Sequence, residues 1–134
     1  MVQGLLYYLD RGLIAVRKPR KVLFVEDDEA LRQVFEEKLR AEGFEVWTAC
    51  DGLQGYSCYF RHPTDLVVTD IQMPELDGFQ MMRCIRGINP SVKTVYVTGA
   101  AERFRALLEQ EKQEFGAVII EKPFSSEKLV TVIS

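Results

Sequence analysis

The sequence is poor in the residues that staple small folds or hold zinc: 134 positions contain three cysteines (Cys50, Cys58, Cys84) and one histidine, His62. An odd cysteine count with no CxxC pair excludes a disulfide framework, and with a single histidine it excludes a zinc site. All three cysteines are therefore expected to behave as small buried apolar residues. Long hydrophobic runs are also missing. The longest, residues 4–9 and 116–120, fall far short of the roughly 20 residues needed to cross a bilayer. No early positive charge precedes an apolar core with a small-residue cleavage site, so a secretory signal is not expected. These absences lead to the expectation of a cytoplasmic protein without a membrane partner. What is present, 47% hydrophobic and 28% charged residues, fits a globular chain with one core.

Charge is unevenly distributed. Residues 1–21 carry Arg11, Arg17, Lys18, Arg20 and Lys21 against Asp10, a net of +4, which leaves −7 of the overall −3 on residues 22–134. An acidic body does not attract a phosphate backbone, so direct nucleic-acid binding is not expected. Residues 1–20 read as an N-terminal extension or linker, and 21–134 as the domain.

From Lys21 onward, short β-branched or aromatic runs alternate with segments of helical period, the rhythm of a parallel sheet with crossover helices. Val22-Leu23-Phe24-Val25 is apolar throughout, as a strand covered on both faces must be. Leu31, Val34, Phe35 and Leu39 then mark a helix that Gly43 stops. Residues 44–49 form a second strand, and Asp51 caps a helix with Leu53, Tyr56 and Phe60 inward. Residues 65–69 deliver Asp70 at the end of a third strand. Phe79, Met82 and Ile85 mark a helix ending near Asn89-Pro90. Residues 92–97 run into Thr98-Gly99. Phe104, Leu107, Leu108, Glu111 and Phe115 share a helical period, and Gly116 closes that helix. Residues 117–120 lead to Glu121-Lys122-Pro123, and Ser125 or Ser126 opens a short last helix with Leu129, Val132 and Ile133 on one face. Trp47 and the aromatics around Tyr59 are assigned packing, and His62 an exposed turn.

In an open parallel sheet, ligands bind beyond the carboxyl ends of the strands. Those ends carry Glu26-Asp27-Asp28, Asp70, Thr98 and Lys122. Three carboxylates in one place repel unless a cation offsets them, and hard oxygen donors suit Mg²⁺. An Asp carboxylate beside Mg²⁺ and a fixed lysine is equipped to attack phosphorus in line. In this reading Asp70 is the nucleophile, Asp27 a metal ligand, Glu26 a supporting ligand, Lys122 the phosphate clamp and Thr98 a hydrogen-bond donor to a phosphoryl oxygen. Asp28 is expected to cap the first helix instead of binding metal.

The residues so assembled resemble the receiver domains of two-component response regulators. The resemblance is carried by Val22-Leu23-Phe24-Val25-Glu26-Asp27-Asp28, by Asp65 to Asp70 with Met73-Pro74 and Asp77-Gly78, by Val97-Thr98-Gly99, and by Glu121-Lys122-Pro123-Phe124. It covers residues 21–134. It implies a flavodoxin-like, doubly wound α/β fold with five parallel strands in the order 2-1-3-4-5 and helices on both faces. It also implies a phosphohistidine donor on a histidine kinase or histidine phosphotransfer domain, a metal site completed by the backbone carbonyl of Gln72, and a Lys122-Pro123 bond able to be cis. Output to an effector domain or a homodimer would run through the face formed by the fourth helix, fifth strand and fifth helix. One position departs from the family pattern: Ile119 stands where many receivers place an aromatic that turns inward, so a small response is expected at residues 116–121. Two other functions compete. A phosphohydrolase of similar fold needs a second acid two residues after the nucleophile, where Gln72 cannot exchange a proton. A receiver-like scaffold that signals without phosphate would not require Asp27, Asp70, Thr98 and Lys122 together.

Overall fold

The computed structural model describes the backbone of residues 4–9 and 12–17 and the whole of residues 19–134. After a hairpin, β1 (Gly4–Leu9) and β2 (Gly12–Arg17), the chain runs β3 (Lys21–Val25), α1 (Glu29–Ala41), β4 (Glu45–Ala49), α2 (Gly52–Arg61), β5 (Leu66–Asp70), α3 (Gly78–Ile88), β6 (Lys93–Thr98), α4 (Arg105–Phe115), β7 (Val118–Glu121) and α5 (Ser126–Ile133). The last five strands form one parallel sheet in the order β4-β3-β5-β6-β7. Counted within that sheet, this is the order 2-1-3-4-5 of a flavodoxin-like fold, as the resemblance implied.

The period of two along each strand builds two cores. Val22 and Phe24 face Phe35 and Leu39 of α1 and Leu129 and Ile133 of α5. Leu23 and Val25 face the other way, toward Tyr59 of α2, Met81, Met82 and Ile85 of α3, and Leu108 of α4. Helices thus cover both faces, which is why β3 and β5 have buried side chains from Val22 to Val25 and from Leu66 to Thr69.

The helix ends follow the expected chemistry. Asp28, Asp51 and Asp77 each accept a hydrogen bond from a first-turn amide at 2.8–3.0 Å, capping α1, α2 and α3. Gly116 ends α4 in the left-handed region, φ 66°, where a side chain would be strained.

Residues 1–20, expected as an extension, carry the hairpin β1-β2, a sheet of its own; residues 1–3, 10, 11 and 18 lie outside the described residues. Several other expectations are corrected. The inward face of α2 is not Leu53 and Phe60, which are 52% and 68% exposed. Gly52, Gly55 and Tyr59 are buried instead. A Cβ on Gly55 would lie 2.5 Å from Met81 Sδ, and one on Gly52 2.2 Å from the Leu76 carbonyl oxygen, so α2 packs through its glycines and Tyr59, and Leu53 and Phe60 are left outward. Val34, Leu107 and Phe115 are likewise exposed. Cys84 is exposed and Cys50 and Cys58 only half-buried: Cys84 lies outside the α3 stripe of Met81, Met82 and Ile85, and Cys50 sits at the open end of β4, its Sγ 2.9 Å from Gln54 Oε1. α4 starts at Arg105, after a turn through residues 101–104, and its N-cap, Phe104, makes no side-chain capping bond.

Gly78 brings this packing to the site. A Cβ there would sit 2.4 Å from the Asp70 carbonyl oxygen and 3.1 Å from Ile71 Cα, so only glycine lets the start of α3 lie against the loop after β5. Gly78→Ala is expected to destabilise the protein by about 1–3 kcal/mol. Chemical denaturation checks it; a midpoint equal to the native protein's would contradict the close packing.

Candidate functional site

Parallel strands end together, and the residues just past the ends of β3, β5, β6 and β7 meet above the sheet. Lys122, which follows β7, is fixed at its backbone by a 2.8 Å hydrogen bond from its N–H to the Thr98 carbonyl. The bond to Pro123 is cis. Its ammonium reaches across the sheet and bridges two carboxylates, 3.1 Å from Asp70 Oδ2 and 3.2 Å from Glu26 Oε1. Glu26 is buried, 1% exposed. Its second oxygen accepts the Asp27 N–H at 2.9 Å, so Glu26 holds Lys122 on one side and the backbone of the acidic turn on the other. Asp70 is half-buried and takes the Ile71 N–H on Oδ1 at 3.0 Å. Asp27 is exposed. One carboxylate oxygen from each of Glu26, Asp27 and Asp70 lies within 4.8 Å of the others.

Thr98 is buried at the end of β6, its Oγ1 accepting the Ala100 N–H at 2.9 Å. Four of the expected site residues, Glu26, Asp27, Asp70 and Lys122, therefore converge, and Thr98 joins them through its backbone bond to Lys122. Asp28 is turned to its capping role at Leu31. Gln72 is exposed and lines, with Ile71, Met73, Pro74, Asp77, Arg103 and Phe104, a groove of about 400 Å³ beside the loop that follows Asp70.

Electrostatics follow from this crowding. Burial pushes the Glu26 carboxyl up to about 7, the carboxyls of Asp27 and Asp70 push the same way, and Lys122 opposes them. Burial alone would lower the Lys122 ammonium; the attraction of Asp70 and Glu26 outweighs it and leaves its pKa above the ordinary lysine value. Three acids and one lysine leave room for one more cation, and an all-oxygen donor set fits a hard divalent ion such as Mg²⁺.

An acid whose folded pKa is raised keeps a proton that the unfolded chain gives up. The metal-free protein is thus expected to lose stability as pH rises from the unperturbed value of 4.5 through about 7. Urea midpoints at pH 5.5 and 8 for the native protein and Glu26→Gln check this: the variant should show the smaller fall, and equal falls would contradict it.

A second polar cluster went unread in the sequence. Tyr96 of β6 donates its hydroxyl to Glu111 Oε1 of α4, and Glu111 receives both terminal nitrogens of Arg86 of α3 at 2.7 and 3.2 Å. Only the helical period that placed Glu111 with Leu108 hinted at it.

The receiver model of response regulators matches residues 22–134. The chain is 33% identical over 114 residues to the sensor kinase CckA of Brucella abortus, covering 84% of this chain and 12% of that protein. It is 32% identical over 114 residues to the response regulator receiver protein CpdR of the same organism, covering 85% of this chain and 93% of that one. Among solved structures, the receiver domain of the sensor histidine kinase PA1611 from Pseudomonas aeruginosa superposes with a TM-score of 0.74 at 27% identity, over 87% of this chain and 95% of that one; it holds a magnesium ion coordinated in its active-site cleft. With a parallel α/β sheet in this strand order and a match over nearly its whole length, the chain belongs to the response regulator receiver domain family. It is a signalling domain of two-component systems and not a dedicated enzyme. Among the described residues, no helix is long and apolar enough to cross a membrane.

Proposed function

We propose that this chain accepts a phosphoryl group on Asp70 from a phosphohistidine of a histidine kinase or histidine phosphotransfer domain, and relays that event as a switch. The observation that carries the reading is the Lys122 ammonium shared between Asp70 Oδ2 and Glu26 Oε1, beside a three-carboxylate cluster. Asp70 forms the new P–O bond as the P–N bond to the donor imidazole breaks, and the electron pair leaves with that ring nitrogen. Lys122 already contacts the attacking carboxylate and so stands where charge builds on the transferring group. Thr98 gives up its bond to Ala100 N–H when its hydroxyl turns to a phosphoryl oxygen.

Asp27 and Asp70, with Glu26 directly or through water and the Gln72 carbonyl, would hold Mg²⁺. When bound, the ion neutralises phosphoryl oxygens. Self-phosphorylation and self-dephosphorylation are slow, because the position that would supply a general acid, Gln72, has no titratable proton. The same residue argues against a phosphohydrolase.

Partner binding would use the face of α4, β7 and α5, where Leu107, Phe115 and Val118 are exposed, for an effector domain or a second copy. With Mg²⁺ and acetyl phosphate the protein should gain one acid-stable, base-labile phosphoryl group, and a chelator should abolish the gain while the circular-dichroism spectrum stays folded. Equal labelling in chelator would overturn the metal's part; no labelling from acetyl phosphate or from a phosphohistidine donor would overturn the reading.

A further inference from the structure

α4 is weakly rooted by apolar packing. Leu108 is its one buried residue, and Leu107 and Phe115 are 48% and 38% exposed. Its N-terminus has no side-chain cap and touches the body through Phe104, whose ring lies 5.8 Å from that of Phe79. Its C-terminal half, from Glu111 to Phe115, is by contrast tied down. Glu111 accepts from Tyr96 and takes a two-pronged hydrogen bond from Arg86, whose side chain is 10% exposed, and the Arg86 guanidinium lies 3.6 Å over the Phe115 ring. Charged, bidentate and largely dry, this contact is of the strong kind.

Tyr96 is fully buried and stands two residues before Thr98, on the same side of β6. It pairs in register with Ile119 of β7. The aromatic side chain absent at 119 is therefore present one strand over, held in place by α4. Between Thr98 and the helix, residues 99–104 form a short arm, and a Cβ on Gly99 would meet no atom closer than 4.0 Å, which leaves the arm room to shift.

We propose that the Tyr96–Glu111–Arg86 cluster is the pivot of α4: it fixes the C-terminal half of the helix to β6 while movement at Thr98 swings the N-terminal half. The inference rests on the phosphoacceptor reading for its trigger, but the anchor itself exists without phosphate. A helix anchored toward one end and lightly packed at the other can turn about its anchor, and a ligand at Asp70 would bias that turn through Thr98 and Ala100. Output then travels through α4, and the short side chain of Ile119 leaves β7 a bystander.

Two measurements on the native chain and on Tyr96→Phe test this, the variant keeping the ring and losing the hydroxyl. In the resting protein, amide hydrogen exchange in Leu108 to Phe115 should quicken about 10-fold in Tyr96→Phe relative to α5, and Glu111→Gln, which leaves the Arg86 guanidinium without its counter-charge, should quicken it further. With Mg²⁺ and beryllofluoride, NMR shift changes in the native chain should be large at residues 99–107 and small at 108–115, and should spread along the whole helix in Tyr96→Phe. Unchanged exchange in α4, or native shifts of equal size along α4, would overturn the pivot. Absence of any shift at Asp70 and Thr98 would overturn the phosphoacceptor reading, while the exchange result would still decide the anchor.

Discussion

Asp27→Ala is expected to weaken Mg²⁺ binding by at least 10-fold to 100-fold, the loss that follows even when an outer partner of a metal ligand is removed, whereas Asp28→Ala should leave it nearly unchanged. Asp27 contributes an oxygen to the cluster with Glu26 and Asp70. Asp28 spends its carboxylate on the Leu31 N–H at 3.0 Å, so its replacement should appear as about 1 kcal/mol of lost stability. Titration calorimetry and urea unfolding of both variants separate the two acids. A larger metal defect in Asp28→Ala would exchange their roles.

Lys122→Ala should slow phosphoryl transfer to Asp70 on the order of 100-fold or more, the scale seen when one preorganised charge-stabilising donor is deleted. The lysine is held for this position from three directions: its N–H on the Thr98 carbonyl and its ammonium on Asp70 and Glu26. Its removal also leaves Glu26 and Asp70 facing each other without a counter-charge, so one of them should hold its proton to higher pH than in the native protein. Stopped-time labelling from a small phosphodonor gives the rate, and a change of less than threefold would mean that Lys122 is a structural ion pair only.

How much of this was legible beforehand depends on which physics wrote it. Apolar runs such as Val22 to Val25, alternating with segments of helical period, mark buried parallel strands, and the strands' shared direction puts Glu26, Asp70, Thr98 and Lys122 at one end of the sheet. Capping is equally local, so Asp28 and Asp51 could be read from neighbours three residues away.

The inward face of α2 could not, because it depends on a close approach that Gly52 and Gly55 permit to Leu76 and Met81, and hydrophobicity alone favoured Leu53 and Phe60. The cysteines failed for a related reason: Cys84 is apolar enough for a core but lies on the wrong side of α3. The Tyr96–Glu111–Arg86 cluster joins a strand and two helices that are distant in sequence, and no periodicity reveals such a contact. Ile119 was read by position alone as a gap in the switch; its register with Tyr96 changes what that gap means.

The most direct test of the central assignment is mass spectrometry of the protein and of Asp70→Asn after incubation with Mg²⁺ and acetyl phosphate, with reductive mapping of the modified aspartate. One phosphoryl group on Asp70 in the native chain and none in a folded Asp70→Asn is the predicted result. Equal labelling of both, or a label mapped to Asp27 or Asp28, would contradict it.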